Sequence, residues 1–112
     1  MTARARRMRR VTRRRAARRE HIPPEFRPLV DEFALDSHQR REIWWYILVL
    51  LMIDEEQVRP MGEHELAGRL WVTLRTQDGN EFDIIKPQLD ENQQDRLLAG
   101  ARQIWASVSR KA

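Results

Sequence analysis

The chain has 112 residues, 41% of them hydrophobic and none of them cysteine. One small domain with an ordinary hydrophobic core is therefore expected, and disulfide scaffolds, thiolate zinc sites, iron–sulfur clusters and a cysteine nucleophile are excluded. The formal charge of +4 hides an uneven split: residues 1–20 carry +9, whereas residues 21–112 hold 11 bases and 16 acids and carry −5.

The basic segment contains ten arginines: Arg4, Arg6, Arg7, Arg9, Arg10, Arg13, Arg14, Arg15, Arg18 and Arg19. Its other side chains are mostly small, so it buries too little to offset the entropy of ordering and is expected to be disordered when free. Ala5, Met8, Thr12 and Ala16 nevertheless share one side of a latent helix, which an anion could draw out by screening the repulsion between arginines. Guanidinium groups bind phosphate bidentately and stack on bases, which an ammonium cannot do, so this composition points to nucleic acid, RNA or DNA. The stretch from Val11 to Glu20 resembles the arginine-rich RNA-binding motifs of phage antitermination N proteins, which become helical in RNA hairpins. The likeness covers about ten residues of low-complexity sequence and does not extend into the rest of the chain. Arginine outnumbers lysine 19 to 2 throughout, as a GC-rich genome also produces, and translation from Met8 would still leave +6 over residues 8–20.

His21-Ile22-Pro23-Pro24 ends the arm, because a residue before proline is pushed out of the α region. The expected organisation is thus a basic arm, 1–20, on a single domain, 21–112. Within that domain Pro28 suits a first helical turn, and Phe26, Leu29, Val30 and Phe33 recur at helical spacing, predicting a helix over 26–35. Asp36 and Gln39 form a capping box that opens a second helix over 37–57. This helix contains the longest apolar run, Ile43 to Ile53, and being apolar all round it should be the central buried element or be covered partly by another subunit. At ~16 Å the run is too short to cross a hydrocarbon layer of ~30 Å, so no transmembrane segment is expected. No secretory pattern precedes it, and a cytoplasmic protein is the reading, or a nuclear one if the source has a nucleus.

Pro60 and Gly62 are read as a break, followed by a hairpin of strands 69–76 and 81–86. A two-residue Asp78-Gly79 loop would mix apolar and polar side chains on each face. A three-residue loop, Gln77-Asp78-Gly79, instead pairs Leu74 with Phe82, Val72 with Ile84 and Arg75 with Glu81. The resulting core face is Leu70, Val72, Leu74, Phe82 and Ile84. Asp90 and Gln93 open a last helix over 91–109, amphipathic through Leu97, Ala101, Ile104 and Val108. The fold class is α+β: two helices, an antiparallel β-hairpin and a C-terminal amphipathic helix, with helices packed on one face of a small sheet. A lone hairpin is thin, so either the long helix supplies most of the core or two chains pair to complete it.

Catalytic signatures are absent from the sequence. It has no Gly-rich phosphate loop and no Gly-x-Ser-x-Gly, and His64-Glu65 lacks the second histidine that a zinc-protease helix needs, position 68 being Gly68. No enzyme activity, metal or cofactor is therefore expected. Arg40 and Arg41 begin the long helix and Asp54, Glu55 and Glu56 end it, both of the wrong sign for the helix dipole. The acidic end is expected to meet a basic partner, the arm of the same chain or of a neighbouring one being the nearest candidate. Two functions follow: nucleic-acid association through the arm, or a protein-interaction module, homodimer or complex subunit, whose arm contacts an acidic partner. For the second, Trp44, Trp45, Trp71 and Trp105 are the interface candidates.

Overall fold

The computed structural model describes residues 21–111, and the arm with its expected disorder lies outside them. Helix α1 spans Arg27–Phe33, helix α2 Ser37–Asp54, strand β1 Val58–Leu66, strand β2 Arg69–Thr76, strand β3 Glu81–Ile85 and helix α3 Glu91–Lys111. The two N-terminal helices, the β2–β3 hairpin and the C-terminal helix occur in the expected order. A third strand, β1, is added to the sheet.

Helix α1 starts where Pro23 and Pro24 turn the chain: the Phe26 amide donates to the Pro23 carbonyl at 3.0 Å, and Pro28 occupies the first turn. Asp36 caps α2 by accepting from the Gln39 amide at 2.8 Å, and Gln39 Oε1 accepts from the Leu35 amide at 2.7 Å. The helix ends three residues short of the expected 57. Glu56 adopts φ 59°, so its amide reaches Ile53 O and the Gln57 amide reaches Met52 O at 2.9 Å. That is a Schellman closure with glutamate in the left-handed position usually held by glycine. Asp90 and Gln93 reciprocate fully at the start of α3, through Gln93 N to Asp90 Oδ1 at 2.8 Å and Asp90 N to Gln93 Oε1 at 2.9 Å.

The sheet order is β1-β2-β3, antiparallel throughout. The β2–β3 register is the expected one: Leu74 pairs with Phe82, Val72 with Ile84 and Arg75 with Glu81. The loop is three residues long, with Gly79 at φ 89° and Thr76 N bonded to Asn80 O at 2.9 Å. Reading Pro60 and Gly62 as a break needs correction, since both lie within β1. Even-numbered residues of β2 bond to β3, as Lys86 N to Leu70 O shows, so its odd-numbered residues bond to β1. Pro60 lies opposite Leu74, and its nitrogen therefore faces the free edge, where a missing N–H costs the ladder nothing. A bulge between Pro60 and Gly62 accommodates Met61.

Helix α2 is the middle layer. Ile43, Trp44, Ile47 and Leu51 pack against Ile22, Phe26, Leu29 and Val30 on one side and Leu97 and Ala101 of α3. Val49, Met52 and Ile53 pack against Val58, Val72 and Leu74 of the sheet. Of the expected sheet core face, Val72 and Leu74 are buried and Leu70 and Ile84 half-buried, whereas Phe82 is 37% exposed and belongs to neither core cluster.

Candidate interaction surfaces

The ten candidate phosphate-binding arginines, Arg4 to Arg19, lie outside the described residues. What the structure places is the body to which they are attached. Cationic side chains of the body are met by carboxylates. Arg40 meets Asp31 at 3.0 Å, Arg69 meets Glu42 at 2.7 Å, Lys86 meets Glu63 at 2.7 Å, Arg96 meets Glu32 at 2.9 Å and Arg102 meets Asp54 at 2.6 Å. Arg75 meets Glu81 across the hairpin, as their register predicts. These pairs tie elements together: Arg69 joins β2 to α2, Arg96 joins α3 to α1, and Arg102 joins α3 to the end of α2. Exposed pairs of this kind contribute little stability individually, about 0–1 kcal/mol. Their larger consequence is electrostatic, because body arginines already facing carboxylates attract phosphate weakly.

A basic partner for the acidic end of α2 is found within the body. Arg102 donates two hydrogen bonds to Asp54, from Nε at 2.6 Å and Nη2 at 2.8 Å. Those bonds hold the Asp54 carboxyl below the usual carboxylate range and the Arg102 guanidinium above its own ordinary value. Trp105 Nε1 donates to Glu55. The body itself thus supplies a basic partner, Arg102, at this end of α2, and the arm, the expected one, lies outside the described residues. Neither contact was legible in sequence, since they depend on where α3 crosses α2, 48 and 50 residues away along the chain.

The four candidate interface tryptophans separate. Trp44 is 8% exposed and tilted at 52° against Phe26, with ring centroids 5.2 Å apart, which makes it part of the body's core. Trp71 is half-buried, its Nε1 donating to Leu66 O at 3.2 Å. Trp45 and Trp105 are 45% and 39% exposed. Leu35, in the α1–α2 turn, and Leu66, at the end of β1, are exposed as well.

A groove of about 520 Å³ opens between the α1–α2 turn, the start of β2 and the segment before α3, with Leu35, His38, Glu42, Arg69 and Leu89 on its walls. Of its acids, Glu42 accepts from Arg69 on one oxygen, while its other, Oε1, is buried 3.1 Å from His38 Nε2 without a hydrogen bond. Hydrogen bonding to Glu42 keeps Arg69 firmly protonated. Tyr46, beneath the sheet, has its phenol pushed above its ordinary value by burial, with Lys86 lowering and Glu63 raising it. Among the described residues no group of three or more His, Asp or Glu side chains is placed to hold a metal, and no helix is long and apolar enough to cross a membrane.

No family model, curated protein or solved structure matches this chain.

Proposed function

We propose that this is a small nucleic-acid-associated protein in which residues 1–20 neutralise phosphates and the α+β body carries and positions that arm. The charge split supports this reading: +9 over the first 20 residues against −5 over the rest. The pairing of body arginines with body carboxylates sharpens it, because a polyanion approaching the molecule is attracted by one segment and repelled by the remainder. Binding of RNA or DNA is the proposed role, without catalysis, metal or cofactor, and a cytoplasmic location suits it. The arm contributes affinity; any preference among sequences arises from RNA shape or from the body.

A mobility-shift titration of the full chain against one beginning at Glu20 tests the proposal. For the full chain the log-log salt slope should fall by about 0.9 per neutralised phosphate on duplex DNA and about 0.7 on single strands. Equal and salt-insensitive binding by the two chains excludes the arm as the binding element.

The second reading is a protein-interaction module, a homodimer or complex subunit, and it is favoured by Trp45, 45% exposed on a helix that has no polar side at that point.

A further inference from the structure

From Ile43 to Ile53 helix α2 carries only apolar and aromatic side chains, and such a helix is at ease in water only when it is covered all round. The body covers it incompletely. Helices α1 and α3 lie over Ile43, Trp44, Ile47 and Leu51, and the sheet lies over Val49 and Ile53. Between those two coverings runs a stripe at positions i, i+3 and i+7: Trp45, Leu48 and Met52. Trp45 is 45% exposed, and Leu48 and Met52 are half-buried, each touching only the margin of one core. Three residues further on, Glu55 holds the Trp105 indole, itself 39% exposed, at the C-terminal end of the same stripe.

The charges at the ends of the stripe indicate what covers it. Arg40 and Arg41 stand near the start of α2, Arg40 against Asp31. At its end Asp54 and Glu55 are met by Arg102 and Trp105, while Glu56 follows the last turn. On the side of the stripe the end charges are Arg41 and Glu56. This polarity opposes the helix dipole in an isolated helix. It becomes complementary when the same helix from a second molecule packs antiparallel, since each basic end then lies beside an acidic end. A purely basic or purely acidic partner would match one end and oppose the other. The 3–4 spacing of Trp45, Leu48 and Met52 is also that of a helix–helix seam.

We infer that the Trp45–Leu48–Met52 stripe is a homodimer contact, in which α2 helices of two copies cross antiparallel about a two-fold axis close to Leu48. An axis between residues 48 and 49 sets Trp45 against Met52 of the second copy, an aromatic–thioether contact. Leu48 then lies against its symmetry mate, and the Arg41 end beside Glu56 of the second copy. The pairing does not depend on the arm's binding phosphate. If both hold, the dimer carries two arms and binds a long polyanion bivalently.

Sedimentation equilibrium of the full chain, free of nucleic acid, should give twice the 13.5 kDa monomer mass. Trp45→Lys should raise the dissociation constant by at least roughly tenfold, as for a central interface tryptophan, with an unchanged circular-dichroism spectrum. The chain has no cysteine, so Leu48→Cys provides a second measurement that holds even if Trp45→Lys fails to fold. Mild oxidation should link Leu48→Cys chains in pairs across the axis much faster than Asp78→Cys chains, whose thiol sits in the β2–β3 loop. A wild-type chain that stays monomeric, including one whose Trp45 is shielded by its own arm, overturns the inference. So does a dimer that survives Trp45→Lys, or cross-linking at Leu48→Cys no faster than at Asp78→Cys.

Discussion

Glu56 and Ala67 hold positive φ, 59° and 53°, without being glycine, and each is fixed by its neighbours. Glu56 closes α2, while Ala67 and Gly68, at φ 73°, are the two central residues of the tight turn that joins Leu66 to Arg69. A turn with both central residues left-handed is the hairpin type in which Asn-Gly is favoured. Ala67→Asn should therefore raise stability by about 0.5–1 kcal/mol in urea denaturation. The contrast with Gly79 shows what a sequence reveals at this scale: Asp78-Gly79 announces a turn, whereas Ala67-Gly68 is silent because alanine has no preference for that conformation. Asp54 supplies a pH test. Its carboxyl is depressed below the usual range chiefly by hydrogen bonds from Arg102. The stabilisation is therefore present above the unfolded-state value, about 3.9, and is lost as pH falls through the lower folded value. Arg102→Ala should flatten that acid-side loss when denaturation midpoints are compared from neutral pH down to the acid limb, and an unchanged pH profile would refute the assignment.

At the scale of elements, helices whose signals are local were legible. The capping pairs Asp36–Gln39 and Asp90–Gln93 mark the starts of α2 and α3, and the Leu97, Ala101, Ile104 and Val108 stripe marks the buried side of α3. Strand β1 was not legible, for a physical reason. Only Val58 of its nine residues is buried, so it lacks the alternation that announces a strand. Hydrogen bonding to β2 holds it, and only at a sheet edge are Pro60 and the bulge at Met61 tolerated. The packing of α1 on α3 likewise turns on a residue whose role its type does not disclose. A Cβ built on Gly100 would lie 2.8 Å from Leu29 Cδ1, so the absence of a side chain there lets α1 approach. Gly100→Val should destabilise the protein by about 1–3 kcal/mol through overpacking. Leu29→Ala in the same chain should recover part of that loss by removing the clashing methyl groups.

For the whole molecule, the arm and body are expected to be thermodynamically separable. A chain beginning at Glu20 should denature within about 0.5 kcal/mol of the full chain, while losing most of its affinity for RNA or DNA at low salt. A large drop in stability would mean that the arm packs on the body and that its guanidiniums are already occupied. Composition and local pattern determined by themselves the charge split, the α+β class, the β2–β3 register and the central position of α2. Each of these rests on interactions between residues near in sequence or on sums over many residues. Tertiary structure alone decided that Arg102 meets Asp54, that Trp44 is core while Trp45 is exposed, that residues 58–66 complete the sheet, and which side of α2 is left uncovered. Those outcomes depend on how elements far apart in the chain cross one another, and an all-apolar helix gives its neighbours no sequence signal of which side to cover.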